Sequence, residues 1–457
     1  MSDFITIVGE ENVIFEEDKL YQYATDHSSR KSTLPLCVVK PNSTNEVSQI
    51  VKVCNRKNLG ITIRAGGSGV SGGSVSNSEC IILSIERLNK ILTIDAINRY
   101  VITQAGVVTQ ILQDKLLETN MCFPQNISSA SMSCIGGNVA ISSGSPKSLK
   151  YGSTKNYVLN LEVVLPDGRI IWTGKNIEKN ATGYNLTQLF VGSEGTLGII
   201  TKVVLKIVPV QKELLMMVPF ETSERLFNFV KTFFSQGFTA SSLEFLDQNG
   251  YGLILEYLGE KNKFSNQFGG LLWIEFESPT DEENMNKATR LYNLILEYSN
   301  YEPLIAQSVK EIESLWKYRK KIGEAAINYA EFKDLDVVVP RDKIDEMFKA
   351  INFICESLQL EFIVIGHIGN GNFHINIFNS NEDSMWEENI CKCTTQIFEK
   401  AIEMGGEISG EHGIGTYNRS FFNQFTSNTN IKIMAEIKKI FDPKNILNSN
   451  NLFIEQH

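Results

Sequence analysis

The sequence predicts an α+β chain of two principal domains, and three observations carry that prediction. At 457 residues the chain exceeds what a single hydrophobic core ordinarily supports. From Leu36 to Pro209 short apolar runs alternate with Gly- and Ser-rich turns, the texture of many strands. Near Gln211 that texture ends, and amphipathic segments of helix length follow around Arg225 to Phe234 and Asp281 to Tyr298. The expected organisation is an N-terminal segment over 1–33, a first domain over 34–209, a mixed α/β domain over 210–430, and a segment over 431–457 that packs back on the first domain.

The first unit can be traced residue by residue. Ser43 and Glu46 have capping-box spacing, and Val47, Ile50, Val51 and Cys54 then form one apolar helical stripe that stops at Asn58-Leu59-Gly60. Ile61 to Arg64 reads as a short strand running into Ala65-Gly66-Gly67-Ser68-Gly69-Val70-Ser71-Gly72-Gly73. Further on, Leu161 to Leu165, Pro166 to Arg169 and Ile170 to Trp172 read as strand, tight turn and strand.

Composition excludes several classes. A formal charge of −10 argues against broad nucleic-acid binding, which needs a basic surface. No run of about 18 apolar residues occurs, so no transmembrane helix is expected. The N-terminus is acidic where a targeting peptide would be basic, which predicts a cytoplasmic protein. The eight cysteines are scattered, several within apolar runs, and suit a reducing compartment. Cys391 and Cys393 form a lone C-x-C without the second pair a zinc ribbon needs.

A glycine-rich loop after a strand offers consecutive backbone N–H groups to an anion, and lacks the Cβ atoms that would keep it away. The stretch Arg64 to Gly73 fits a pyrophosphate on those grounds. Its spacing matches neither the Rossmann nor the P-loop pattern, so NAD is not expected. Cys134-Ile135-Gly136-Gly137-Asn138-Val139-Ala140 and Gly192-Ser193-Glu194-Gly195-Thr196-Leu197-Gly198-Ile199-Ile200 supply two more small-residue stretches. One such loop is commonly an ordinary turn. Three in order weigh towards a binding site.

Together with Lys150-Tyr151-Gly152, Leu161 to Gly168 and Asn180 to Phe190, these stretches resemble the FAD-binding domain of the vanillyl-alcohol oxidase superfamily. Within it, the chain is similar to the D-lactate, glycolate and D-2-hydroxyglutarate dehydrogenase branch over nearly its whole length. The resemblance implies a domain of that type followed by a mixed α/β substrate domain and a C-terminal segment that returns to the flavin. It also implies FAD held by Arg64, Ala65, Gly66, Gly67, Ser68, Gly69, Val70, Ser71 and Gly72, by Ser131, Cys134, Ile135, Gly137, Asn138 and Ala140, and by Glu194, Gly198, Ile199, Ile200 and Asn448. Covalent members carry a histidine in the first glycine loop. None stands between Arg64 and Ser84 here, so the FAD is expected to be non-covalent. Ala65 stands where a proline is common, and Phe123-Pro124-Gln125-Asn126 lacks the usual aspartate-proline pair.

Three of the five histidines lie in glycine-rich segments of the second half. His367 and His374 flank Asn370-Gly371, the preferred centre of a two-residue type I′ hairpin turn. That turn would pair 367 with 374 and bring the imidazoles opposite each other, with cross-strand Cβ atoms about 4.5 to 5.5 Å apart. Asn376 would share their face, while Phe373, Ile375 and Ile377 would point to a core. Ser409 to Gly415 adds a carboxylate beside another imidazole, and two histidines with one glutamate and an open position suit a catalytic divalent ion. The plainer alternative is a histidine pair hydrogen-bonded within a sheet. The segments resemble the family's H-x-G-D-G-N-x-H-x-N and G-E-H-G-x-G motifs, with Asn370 in place of the aspartate. That resemblance implies His367, His374 and Glu411 as ligands of a divalent metal, Zn²⁺ first and Mn²⁺ second, and His412 as the base.

Leu315-Trp316-Lys317-Tyr318-Arg319 reads equally well as a solvated helix face, since Lys317, Lys320 and Lys321 surround the arginine. Its likeness to the family's L-W-x-x-R segment nominates Arg319 for a substrate carboxylate, a group that a planar guanidinium pairs at two oxygens. Lys333 and Asn376 are further substrate candidates. Gly323 occupies the place of a hydroxyl residue in the hydroxyglutarate enzymes, which counts against that dicarboxylate. The expected reaction is oxidation of a small D-2-hydroxy acid, with electrons passed to an electron-transfer flavoprotein, quinone or cytochrome, in a protein compatible with a homodimer. The competing readings are a same-fold, FAD-containing alkyl-glycerone-phosphate synthase and a flavin electron-transfer subunit.

Overall fold

A computed structural model describes residues 2–28, 33–264, 268–380 and 385–453. The chain divides into two compact units: one of 1–144, 153–210 and 411–457, the other of 145–152 and 211–410.

The first unit is built on two main sheets. In the smaller, Gly60–Arg64 and Val38–Val39 run parallel to Cys80–Ser84, and Val13–Ile14 closes the edge antiparallel. The larger is antiparallel throughout, in the order Ile91–Asp95, Tyr100–Gln104, Ile199–Lys206, Val158–Val164, Ile170–Trp172. The helix Thr44–Lys57 forms where its spacing predicts. Ser43 accepts from the Glu46 backbone, Val47, Ile50, Val51 and Cys54 are buried, and Asn58 ends it in the left-handed conformation. Leu447 bridges in parallel to Ile61, with Ile61 N donating to Ile446 O at 2.7 Å and Asn448 N donating to Ile61 O at 2.9 Å.

The second unit is a seven-stranded sheet in the order Leu304–Ala306, Lys212–Phe220, Gly270–Ser278, Ser242–Asp247, Glu361–Gly366, Asn372–Phe378, Phe332–Val338. Strand alternation divides its residues into two unlike faces. Leu214, Ile274, Phe245, Val364, Phe373, Ile375 and Val337 share one face, wholly buried; Phe227 of the helix Ser223–Ser235 and Phe348 of Ile344–Ser357 pack their rings on Phe245. The opposite face carries Leu215, Trp273, Leu246 and Ile365, covered by the helices Gln248–Leu258 and Val309–Tyr329. It also carries a polar run, Glu213, Glu275, Ser242, Glu244, His374, Asn376, Asp334 and Asp336, set by the same registers.

Two expectations about organisation are corrected. Residues 411–430 group with the first unit, because Glu194 holds the backbone of Ile414 and Gly415 and Ser71 holds that of His412. Residues 145–152 group with the second, because Lys147 reaches Glu213, Glu275 and Glu277.

Candidate functional site

In the second unit the site grows from the polar face of the sheet. The helix Val309–Tyr329 opens with a capping box at Ser308 and Glu311 and buries Ile312, Trp316 and Ile322 against the sheet. Arg319 falls on that covered side. Its side chain is only 11% exposed; Nε donates to Glu244 Oε2 at 2.9 Å, and Nη2 stands 2.8 Å from the same oxygen in an ion pair. The solvated-face reading of Arg319 therefore fails. Glu244, fully buried in Ser242–Asp247, directs its other oxygen at His367 Nδ1, 2.7 Å away. One carboxylate thus binds a guanidinium and an imidazole at once.

His367 and His374 do come together, with ring centroids 5.1 Å apart and planes at 89°, but not by the expected turn. His374 pairs with Ile365, two residues out of the predicted register. Between the strands, Ile368–Asn370 winds into a 3-10 turn, with only Gly371 left-handed at φ 74°. A type I′ turn would need Asn370 there as well. Gly371 is required for a second reason: a Cβ on it would stand 2.0 Å from Val339 O. A two-residue slip preserves the face, so the histidines still meet. Phe373, Ile375 and Ile377 are buried on the opposite face, as alternation predicts.

Asp336 lies opposite His374 in register, with Oδ1 3.7 Å from its Nδ1. It also accepts from Asn372 Nδ2 at 2.8 Å, Ser409 Oγ at 3.0 Å and Gly410 N at 2.9 Å. It thereby fixes the backbone immediately before Glu411. Asn376 donates to Asp334 Oδ1 at 2.8 Å. Lys333 lies on the same strand as these aspartates and pairs with Ile377 in register, on the side opposite Asp334.

Elsewhere in this unit Lys147 stands among Glu213, Glu275 and Glu277. Burial opposes its charge, but the three carboxylates more than offset that and hold the ammonium well above its ordinary range. Burial raises Glu275 to about 7, and Trp316 Nε1 donates to it at 3.1 Å.

In the first unit, Gln22, Tyr23, Arg64, Ala65, Gly66, Glu86, Gly106, Val107, Met132 and Cys134 line a cavity of about 550 Å³. Two of the lining residues, Gly66 and Gly106, present bare backbone. At Gly66 a Cβ would stand 2.1 Å from Met132 O, so the first glycine loop and the segment before Ile135 pass each other without side chains between them. This suits a cofactor approached by main-chain N–H groups. Arg64 lies over the Tyr23 ring and donates to Thr25 O at 2.6 Å; burial lowers its pKa. Ile135 begins a short helix whose Asn138 side chain donates to Thr109 at 2.7 Å.

Several nominated cofactor residues have their side chains on protein groups. Glu194, left-handed at φ 51°, accepts from Ile414 N and Gly415 N, both at 2.7 Å. Burial raises its pKa against those two bonds. Asn448 accepts from Ile63 N at 2.8 Å and donates to Glu194 O at 2.7 Å. Ser71 Oγ donates to His412 O at 3.0 Å. Gly198 packs against Val163 and Phe190, at the start of the strand that contains Ile199 and Ile200. Ser131 is exposed, and Ala140 accepts through its backbone from Glu194. Ser68, Gly69, Val70 and Gly72 continue the first loop, and Gly137 lies against Ala65. Glu411 and His412 are partly exposed, Oε1 and Nε2 standing 4.0 Å apart.

Glu244 and Asp336 are the residues that motif reading misses. Ser242, Glu244 and Leu246 alternate with Leu243 and Phe245, and a charged residue inside an otherwise apolar strand was the available signal.

A family model described as "FAD linked oxidases, C-terminal domain" matches residues 210–452, and one described as "FAD binding domain" matches 35–174. The chain belongs to the FAD-linked oxidase family. Two relatives place it among that family's oxidoreductases. It is 34% identical to "Glycolate oxidase subunit GlcD" of Bacillus subtilis over 98% of this chain and 95% of the relative. It is 35% identical to "D-lactate dehydrogenase" of Archaeoglobus fulgidus over 90% of each. The solved 4-ethylphenol oxidase from Gulosibacter chungangensis shares the fold at TM-score 0.80 and 16% identity, over 99% of this chain and 97% of that one. This FAD-linked oxidase is thus a flavoprotein that shares the fold of that oxidase. Among its described residues no helix is long and apolar enough to cross a membrane.

Proposed function

We propose that this FAD-linked oxidase is a metal-assisted dehydrogenase that converts a D-2-hydroxy acid of the D-lactate, glycolate or D-2-hydroxyglutarate kind to the 2-oxo acid. The observation that carries this reading is the line Arg319, Glu244, His367, His374 on one sheet face: a buried guanidinium beside two perpendicular imidazoles. A substrate with a carboxylate next to a hydroxyl matches that pairing, since a guanidinium binds the first and a metal on imidazoles the second. The names of the relatives support the same class.

In this reading Arg319 takes the substrate carboxylate with Asn376 as a further contact, whereas Lys333 faces the other side of the sheet and is set aside. His367, His374 and Glu411 hold a divalent ion, Zn²⁺ or Mn²⁺, which when bound lowers the pKa of the substrate hydroxyl. His412 accepts the hydroxyl proton as general base. The backbone of the first glycine loop and of the 131–140 segment holds FAD non-covalently, and the flavin supplies the acceptor for the hydride from C2. Two imidazoles and a carboxylate are a donor set that fits such an ion.

The test is anaerobic reduction of the protein's flavin by D- and L-2-hydroxy acids, before and after chelation. Bleaching by a D-acid that chelation abolishes and Zn²⁺ or Mn²⁺ restores is the expected result. Bleaching that survives complete metal removal sinks the metal, and no bleaching by any 2-hydroxy acid sinks the substrate class. Turnover of the purified chain with an artificial dye separates an enzyme from an electron-transfer subunit.

A further inference from the structure

We infer that Glu244 is a positioning residue that fixes His367 as the Nδ1–H tautomer and locks the edge of Arg319, so that one buried carboxylate prepares both the metal ligand and the carboxylate anchor. This rests on the reading of His367 and Arg319 given above.

The argument begins with donor counting. A carboxylate only accepts, and a guanidinium only donates. Glu244 Oε2 accepts Nε–H of Arg319 at 2.9 Å and stands 2.8 Å from Nη2 in the same ion pair. That leaves Oε1 for His367 Nδ1 at 2.7 Å, a separation at which a neutral ring must place its hydrogen on Nδ1. Nε2 then carries the lone pair that a metal takes. Carboxylate-backed imidazoles are the usual means of fixing ligand tautomer and ring orientation. Here the backing group is wholly buried and its second oxygen is held by an ion pair, so it cannot rotate to serve another partner.

Glutamine at this position inverts the arrangement rather than merely weakening it. Arg319 offers only donors, so the amide must turn its oxygen to the guanidinium and present its NH₂ to His367. Nδ1 then has to accept, the hydrogen moves to Nε2, and the lone pair needed by the metal is lost. Arg319 keeps a partner. Glu244→Gln therefore separates tautomer from anchor, whereas Glu244→Ala removes both.

The experiment reads the tautomer directly. With only five histidines in the chain, ¹⁵N-histidine labelling of the full-length, FAD-loaded, metal-free protein and long-range ¹H–¹⁵N correlation at mildly alkaline pH resolve each ring; His367→Gln assigns the signal. We expect Nδ1–H for His367 in the unaltered protein and Nε2–H in Glu244→Gln. Zn²⁺ affinity, measured by chelator competition, should fall about 10- to 100-fold in Glu244→Gln. An Nε2–H ring in the unaltered protein overturns the inference, and that measurement needs no variant to fold. An unchanged tautomer or unchanged Zn²⁺ affinity in Glu244→Gln overturns it as well. Failure of the functional reading looks different: His367 is Nδ1–H as expected, yet the unaltered protein binds no Zn²⁺ or bleaches without metal.

Discussion

The two units prepare their sites by opposite means. The first presents main chain at the glycines of its cavity, Gly66 and Gly106, and the side chains of Glu194, Asn448 and Ser71 hold backbone rather than reach for a ligand. The second presents side chains: Arg319, His367 and His374 stand on or against one sheet face, with Glu244 and Asp336 behind them. A pyrophosphate is recognised by many weak, similarly directed N–H groups. A hydroxy acid about to lose a proton and a hydride needs charges at defined points. Each unit's design follows from the chemistry proposed for it, and each fails under a different kind of substitution.

The largest effect is expected where the reaction requires one proton to move. His412→Ala should lower kcat by roughly 10² to 10⁴, the usual contribution of a general base, while FAD and metal contents stay near those of the unaltered protein. Replacing His367, His374 or Glu411 by Ala should instead remove metal and activity together. Metal analysis alongside kcat separates the two patterns. A fully active, metal-free His367→Ala protein would collapse the distinction.

Next in size is Arg319→Ala. The loss of carboxylate recognition should cost about 2 to 5 kcal/mol in kcat/KM. The same change leaves Glu244 buried without its cation, which destabilises the fold by about 3 to 5 kcal/mol. Denaturant unfolding beside steady-state kinetics checks both. Unchanged stability would mean that the Arg319 and Glu244 pair is not formed in solution.

A smaller effect concerns pH and keeps clear of the site. Asp247 caps the helix Gln248–Leu258 by accepting from Gly250 N at 2.7 Å, and burial raises its pKa to about 7 against a usual 3.8. The folded state therefore binds the proton more tightly than the unfolded state. The stability this contributes is complete below about pH 4 and is lost as pH rises through about 7. Asp247→Asn keeps an oxygen for Gly250 but loses the bond from Val364, a penalty that does not depend on pH. Its stability relative to the unaltered protein should thus improve by about 2 to 4 kcal/mol between pH 4 and pH 8. A flat difference across that range would show Asp247 ionised in the fold.

What could be read from the chain alone divides along the same line. Local features were legible: the Ser43 cap, the stripe Val47, Ile50, Val51, Cys54, and the glycine loops all depend on residues close in sequence. The histidine pairing was legible in its result and not in its route. Alternation fixes the face, but the turn depended on Val339 O crowding Gly371, which no local rule announces. Glu244 showed only as a charge within a strand; its role was hidden because its partners lie 75 and 123 positions away. The grouping of 411–430 with the first unit was hidden likewise, since it rests on contacts such as Ile414 N to Glu194 Oε1 across 220 positions, whereas the return of 431–457 to that unit was expected.

The smallest effect contrasts backbone and side chain within the first glycine loop itself. At Gly66 an added Cβ would meet Met132 O at 2.1 Å; neither side of that contact is a flexible side-chain end, so two backbone segments must part. Gly66→Ala should cost about 1 to 3 kcal/mol of stability, as overpacking does, and should raise the Kd for FAD at least about tenfold by displacing the N–H groups that receive it. Ser71→Ala removes only the bond to His412 O, about 0.5 to 1.5 kcal/mol, and should leave FAD affinity unchanged. Because no histidine stands in this loop, FAD should appear in the supernatant after acid precipitation of both variants and of the unaltered protein. Fluorescence titration of the apoprotein with FAD decides the comparison. If Ser71→Ala releases FAD as readily as Gly66→Ala, the loop binds through its side chains, and the contrast drawn between the two units fails at its simplest point.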